Sequence, residues 1–117
     1  TAVSTTDGVI RATNDVVAFY SSDKRLKENI SPLSDSLEKI SKIRGVEFDW
    51  KKNEEIHPNE GHDVGVIAQE IEEVLPEVVT TRDSGYKAVK YEKIVPLLIE
   101  AIKELKAEID ELKDKQK

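Results

Sequence analysis

The chain has 117 residues, enough for one domain with a modest core. It has no cysteine, which excludes disulfides and thiolate metal sites, and its net charge of −6 leaves no basic surface for nucleic acid. Charged residues are 36% against 38% hydrophobic, high for a compact monomer, and this points to an exposed helical part or an oligomer that shares its core.

No apolar run is long enough for a membrane span, and no signal peptide is visible. The chain opens in mid-pattern without a Met, as expected of a piece of a longer protein. Residues 8 to 20 read as two short strands, Gly8 to Ala12 and Val16 to Tyr20, with Asn14-Asp15 as the turn. They are either an ordinary hairpin or the end of a preceding β-structure.

Ser31-Pro32 breaks the polar stretch before it, and Ser34 or Asp35 is a plausible N-cap. Leu37, Ile40 and Ile43 then mark one face of a short helix. Arg44-Gly45 ends it, with Gly45 suited to a left-handed C-cap. Val46 to Trp50 alternates as a strand, with Val46, Phe48 and Trp50 on one face. Residues 51 to 62 form a polar loop whose His57 and His62 read as solvated loop histidines rather than metal ligands. Val64 to Ile67 is expected to be a short buried segment. Ile67, Ile71, Val74 and Leu75 have helical spacing, and Pro76 stops that helix. Val78 to Thr81 and Tyr86 to Lys90 flank Arg82-Asp83-Ser84-Gly85, a hairpin with Gly at its tip.

Val95, Leu98, Ile102, Leu105, Ile109 and Leu112 recur at alternating steps of three and four, a heptad seam with Val95, Ile102 and Ile109 at a and the leucines at d. Pro96 fits the first turn, where no N–H is needed. Glu108 at g and Lys113 at e are placed to pair between chains. Ile or Val at a with Leu at d favours two strands by rule. Ile99 at e and Ala101 at g widen the apolar face, which favours more. Packing on the chain's own domain is a further option for Leu97, Leu98 and Ile99.

The chemistry lies in the stretch Ser21-Ser22-Asp23-Lys24-Arg25-Leu26-Lys27-Glu28-Asn29-Ile30. A serine and a lysine make the simplest protease dyad, the lysine acting as base when uncharged. Five residues on a helix turn through about 500°, so Ser22 and Lys27 meet in one chain only if the segment turns between them, and otherwise across chains. Lys24 is the competing base. A free lysine titrates near about 10.4, and a base working near neutrality needs roughly 7 to 8, a difference on the order of 4 kcal/mol. Burial of the ammonium and the adjacent cations Lys24 and Arg25 are the expected sources of that shift.

This stretch, Asp63 to Ile71 with Leu75 to Val79, and Tyr91 to Leu98, in this order and spacing, resemble the C-terminal intramolecular chaperone of phage tailspikes, tail fibres and endosialidases, also called the endosialidase-type peptidase domain. The resemblance covers about residues 15 to 112. It implies an α+β fold, a small mixed head with short helices and hairpins, followed by a long C-terminal helix in a parallel trimeric coiled coil. Residues 1–21 would end the parent fibre and 22–117 form the chaperone domain, with 95–117 its coiled-coil helix.

The family's Ser-Asp-x-Arg-Leu-Lys pattern implies Ser22 as nucleophile and Lys27 as base, with a cut on one side or the other of Ser22, the Ser21–Ser22 bond being the first choice. Asp23 and Arg25 fit the motif, either orienting the loop or pairing with one another. The implied partners are two further copies and the upstream fibre segment of the same polypeptide, with no nucleic acid, membrane, metal or cofactor. The implied setting is a virion tail precursor made in the host cytoplasm, from which the domain is released. Holding three chain ends in register lowers the entropy of starting an intertwined β-fold. The alternatives are a trimerisation cap that never cuts and, further off, an acidic coiled-coil adaptor.

Overall fold

The computed structural model describes residues 14–53, 55–57 and 59–116. The chain divides after Ser31 into two units, Thr1–Ser31 and Pro32–Lys117.

In the first unit the described residues are all exposed and hold a single 3-10 turn, Lys24–Leu26. The expected strand Val16 to Tyr20 is not formed, and Gly8 to Ala12 lies outside the described residues. The physical reason is in the side chains. Val16, Val17, Phe19 and Tyr20 are 68 to 96% exposed and point apolar groups to both sides, so a strand here needs cover on both faces. Nothing among the described residues of this unit supplies it.

The second unit begins with α1, Ser36–Ser41. Asp35 occupies the N-cap position but in the left-handed region (φ 54°), and its side chain makes no cap bond. The Ser36 N–H instead donates to Glu104 Oε2 at 2.7 Å, from the far end of the chain. Gly45 does not act as the left-handed cap that was expected; α1 stops earlier, with Lys42 as a right-handed C-cap. β1, Val46–Asp49, has the expected alternation, Val46 and Phe48 half-buried and Glu47 and Asp49 exposed.

β1 pairs antiparallel with β2, His62–Gly65, placing Val46 opposite Gly65 and Asp49 opposite His62. The expectation of a buried segment from Val64 fails at Val64 itself, which is 66% exposed, because it lies across from Glu47 on the ribbon's outer face. On that face His62 sits between Asp49 (2.9 Å) and Glu47 (3.2 Å).

Next come α2, Ala68–Val74, a 3-10 turn Pro76–Val78 opened by the helix-stopping proline, and the hairpin β3, Val79–Thr81, with β4, Lys87–Val89. Gly85 takes φ 89° at the hairpin tip, a conformation open to glycine without a Cβ penalty. A 3-10 turn, Tyr91–Ile94, leads into α3, Val95–Lys115. The core is Ile71, Leu75, Val78, Ile94 and Leu97, with Leu33, Ile40, Ile43, Val66, Val74, Val79 and Val89 packed around it. Burying one such aliphatic side chain is worth about 1.5–3 kcal/mol. Tyr91 Oη accepts the Val66 N–H at 3.3 Å and fills the space in front of Gly65. No helix among the described residues is long and apolar enough to cross a membrane.

Candidate functional site

Asp23 builds the site. Its Oδ1 accepts the Arg25 N–H at 2.8 Å, which caps the turn Lys24–Leu26, and its carbonyl accepts the Leu26 N–H. A 3-10 turn completes a revolution in three residues, so the residues on either side of it are brought back toward one another. Ser22 lies just before the Asp23 cap and Lys27 is the cap at the other end, and the Lys27 N–H closes the turn onto the Lys24 carbonyl. Lys27 Nζ then donates to Ser22 Oγ at 2.8 Å. Of the two sequence alternatives, meeting within one chain after a turn is the one the geometry follows. Lys24, the competing base, lies inside the turn, and Ser21 is exposed beside Ser22.

Arg25 does more than fit a motif. Its Nε donates to Asp23 Oδ1 at 3.1 Å and its terminal nitrogen to Oδ2 at 2.9 Å, a two-pronged ion pair. The side-chain bond from Arg25, then the backbone bond, hold the Asp23 carboxyl below its usual range, and the same pair raises the guanidinium. This revises the expected electrostatics: a guanidinium matched by its own carboxylate is offset as a source of positive field on Lys27. The Arg25 side chain stands largely in solvent and the Asp23 side chain about half so, and Lys27 is exposed as well.

The seam residues Val95, Leu98, Ile102, Leu105, Ile109 and Leu112 are 43 to 66% exposed along α3. Of the three residues considered for packing on the head, Leu97 does so completely, while Leu98 and Ile99 remain near half exposed. Ala101 is 6% exposed and belongs to the head face, so it does not widen the seam as the heptad reading expected. Glu104 was missed by sequence reasoning; at a helix position framed by Lys103 and Leu105, only the tertiary fold reveals its partner, Ser36. Among the described residues no group of three His, Cys, Asp or Glu is placed to hold a metal.

The profile of the family described as chaperone of endosialidase matches residues 22–80, half of the chain, and begins at Ser22 itself. The chain belongs to this family. It is similar to long tail fiber protein Gp37 of Enterobacteria phages K3 and T2, 39% identical over 104 residues in each case, which covers 83% of this chain and 8% of the fibre protein. To the Gp37 of Enterobacteria phage M1 it is 36% identical over 104 residues, 86% of this chain and 41% of that protein. The chain therefore spans less than a tenth of the first two relatives and less than half of the third.

Proposed function

We propose that this chain is a chaperone segment of a phage tail-fibre protein that assembles as a trimer through α3 and then frees itself by one cut at Ser22. The observation that carries the reading is the 2.8 Å contact between Lys27 Nζ and Ser22 Oγ. It is supported by the family membership and by the likeness to long tail fiber proteins.

In the chemistry, the uncharged Lys27 amine takes the Ser22 Oγ proton as Oγ adds to the Ser21 carbonyl carbon. The Ser21–Ser22 C–N bond breaks, and the lysine returns its proton to the departing nitrogen, which is the Ser22 α-amine. Water then hydrolyses the ester left on Oγ, giving a Ser21 carboxylate and restoring the hydroxyl. The cut separates the fibre's end, 1–21, from the chaperone domain, 22–117. Lys27 is exposed in the protomer, so the desolvation that would discharge it comes from neighbouring copies, and cutting waits on assembly.

The exposed seam supports the assembly half of the reading, because a row of six large aliphatic side chains at heptad spacing is the pattern of a helix that buries itself between copies. Intact-mass measurement of the parent polypeptide tests the whole. The expected result is two fragments divided at Ser21–Ser22, and a single uncut species for both Ser22→Ala and Lys27→Ala. Uncut wild-type trimers would identify a permanent trimerisation cap instead.

A further inference from the structure

The serine and lysine leave the rest of their motif unexplained, and the geometry around Asp23 supplies a reason for it. The charged groups on the described part of this unit are Asp15, Asp23, Lys24, Arg25, Lys27 and Glu28. Asp23 is the critical one. It neighbours Ser22 and stands four residues before Lys27, so a free carboxylate there is one residue from the hydroxyl that holds the amine. A carboxylate beside an ammonium favours the charged form and competes with a neutral hydroxyl for the amine's protons. The turn nevertheless needs this carboxylate, because Oδ1 is its cap. Both oxygens are engaged by Arg25, one by the backbone N–H and Nε, the other by the terminal guanidinium nitrogen.

We propose that Arg25 is a positioning residue: its guanidinium holds the Asp23 carboxylate on the cap of the turn and away from the Lys27 amine, so that Ser22 Oγ remains the amine's partner. This rests on the dyad reading and adds to it a device against the nearest unwanted ion pair. An arginine suits the task better than a lysine, because its planar fork engages both carboxylate oxygens at once and stays charged throughout the working range.

Two measurements on the full chain test this separately from the dyad. The first follows cutting by intact mass across pH. Arg25→Ala keeps the backbone N–H that caps the turn and removes only the fork, so the midpoint of the pH profile moves upward by about half a unit or more, the size expected of one close anion partly screened by solvent. At fixed pH below the midpoint the cut slows about threefold. Adding Asp23→Asn to Arg25→Ala removes the competing charge and returns the midpoint, and Arg25→Lys recovers part of it. A slower cut with an unmoved midpoint overturns the proposal and leaves Arg25 a purely structural role.

The second measurement follows the Lys27 side-chain carbon resonance through its titration in the chain kept whole by Ser22→Ala. Arg25→Ala raises that titration, and Asp23→Asn reverses the rise; identical titrations in all three overturn the proposal. A chain that never cuts sinks the dyad reading alone, since the resonance still judges the clamp.

Discussion

The two sides of α3 obey different rules. One side, Leu97, Ala101 and Glu104, is consumed by the head: Leu97 is fully buried, Ala101 nearly so, and Glu104 reaches across to the first N–H of α1. The other side, Leu98, Ile102, Leu105, Ile109 and Leu112, is aliphatic throughout and yet stays between two-fifths and two-thirds exposed. The head thus fixes where the helix sits without satisfying what it carries. One stripe of α3 is packed on its own domain and a second, at heptad spacing, is left exposed, so on the proposed assembly substitutions on the two sides should fail in different ways.

The largest effect is expected on the seam. On the proposed assembly, Ile102→Asp together with Ile109→Asp should convert trimers entirely to protomers in sedimentation, while denaturant unfolding of the protomer stays within about 0.5 kcal/mol of the parent, as for exposed sites. A protomer that loses its own stability in that variant would break the comparison. On the head side, Leu97→Ala should cost about 2–5 kcal/mol in the same unfolding measurement, by lost burial and the cavity left behind.

Smaller effects follow at the helix cap. Glu104→Ala leaves a part-buried N–H without its acceptor, at a cost of about 1–3 kcal/mol, and Glu104→Gln, which keeps an acceptor, should cost less. Ser36→Ala sharpens the point from the other direction. The Ser36 hydroxyl is buried without a hydrogen-bond partner, so its removal should be neutral or stabilising by up to about 1 kcal/mol while the backbone bond to Glu104 persists.

The smallest expected effect is in neither face but on the β1–β2 ribbon. Bonds to Asp49 first and Glu47 second raise the His62 pKa above its usual value. A raised folded-state value means the stabilisation is complete below the ordinary histidine pKa and is lost as pH rises through the raised one. Thermal unfolding should therefore show a slight decline across that window, absent in His62→Gln and weakened by salt, since all three groups are exposed.

Much of this organisation was legible in the residues, and the misses share a cause. The long helix α3 with its exposed apolar stripe, the stop at Pro76 and the tip at Gly85 were readable because each rests on local spacing or on the backbone of a single residue. The pairing of β1 with β2 was not, because His62-Asp63-Val64-Gly65 has no alternation of its own and takes its register from Val46–Asp49. Gly45 suited a cap that the helix never reached, and Asp35 stood at the N-cap while the bond came from Glu104. Ala101 has the right periodicity for the seam, yet α1 packs against that side of the helix. At the serine, the five-residue spacing was ambiguous until the Asp23 cap turned the chain between Ser22 and Lys27.

The close packing at Gly65 has a consequence at the foot of α3. A methyl there would come within 2.7 Å of the Tyr91 hydroxyl, whose ring stands at the foot of α3. The half-exposed tyrosine would be driven off the Val66 N–H, and with it goes a hydrogen bond that ties the end of β2 to the turn leading into α3. A single hydrogen atom at residue 65, where any other residue would place a carbon, keeps that tie in place.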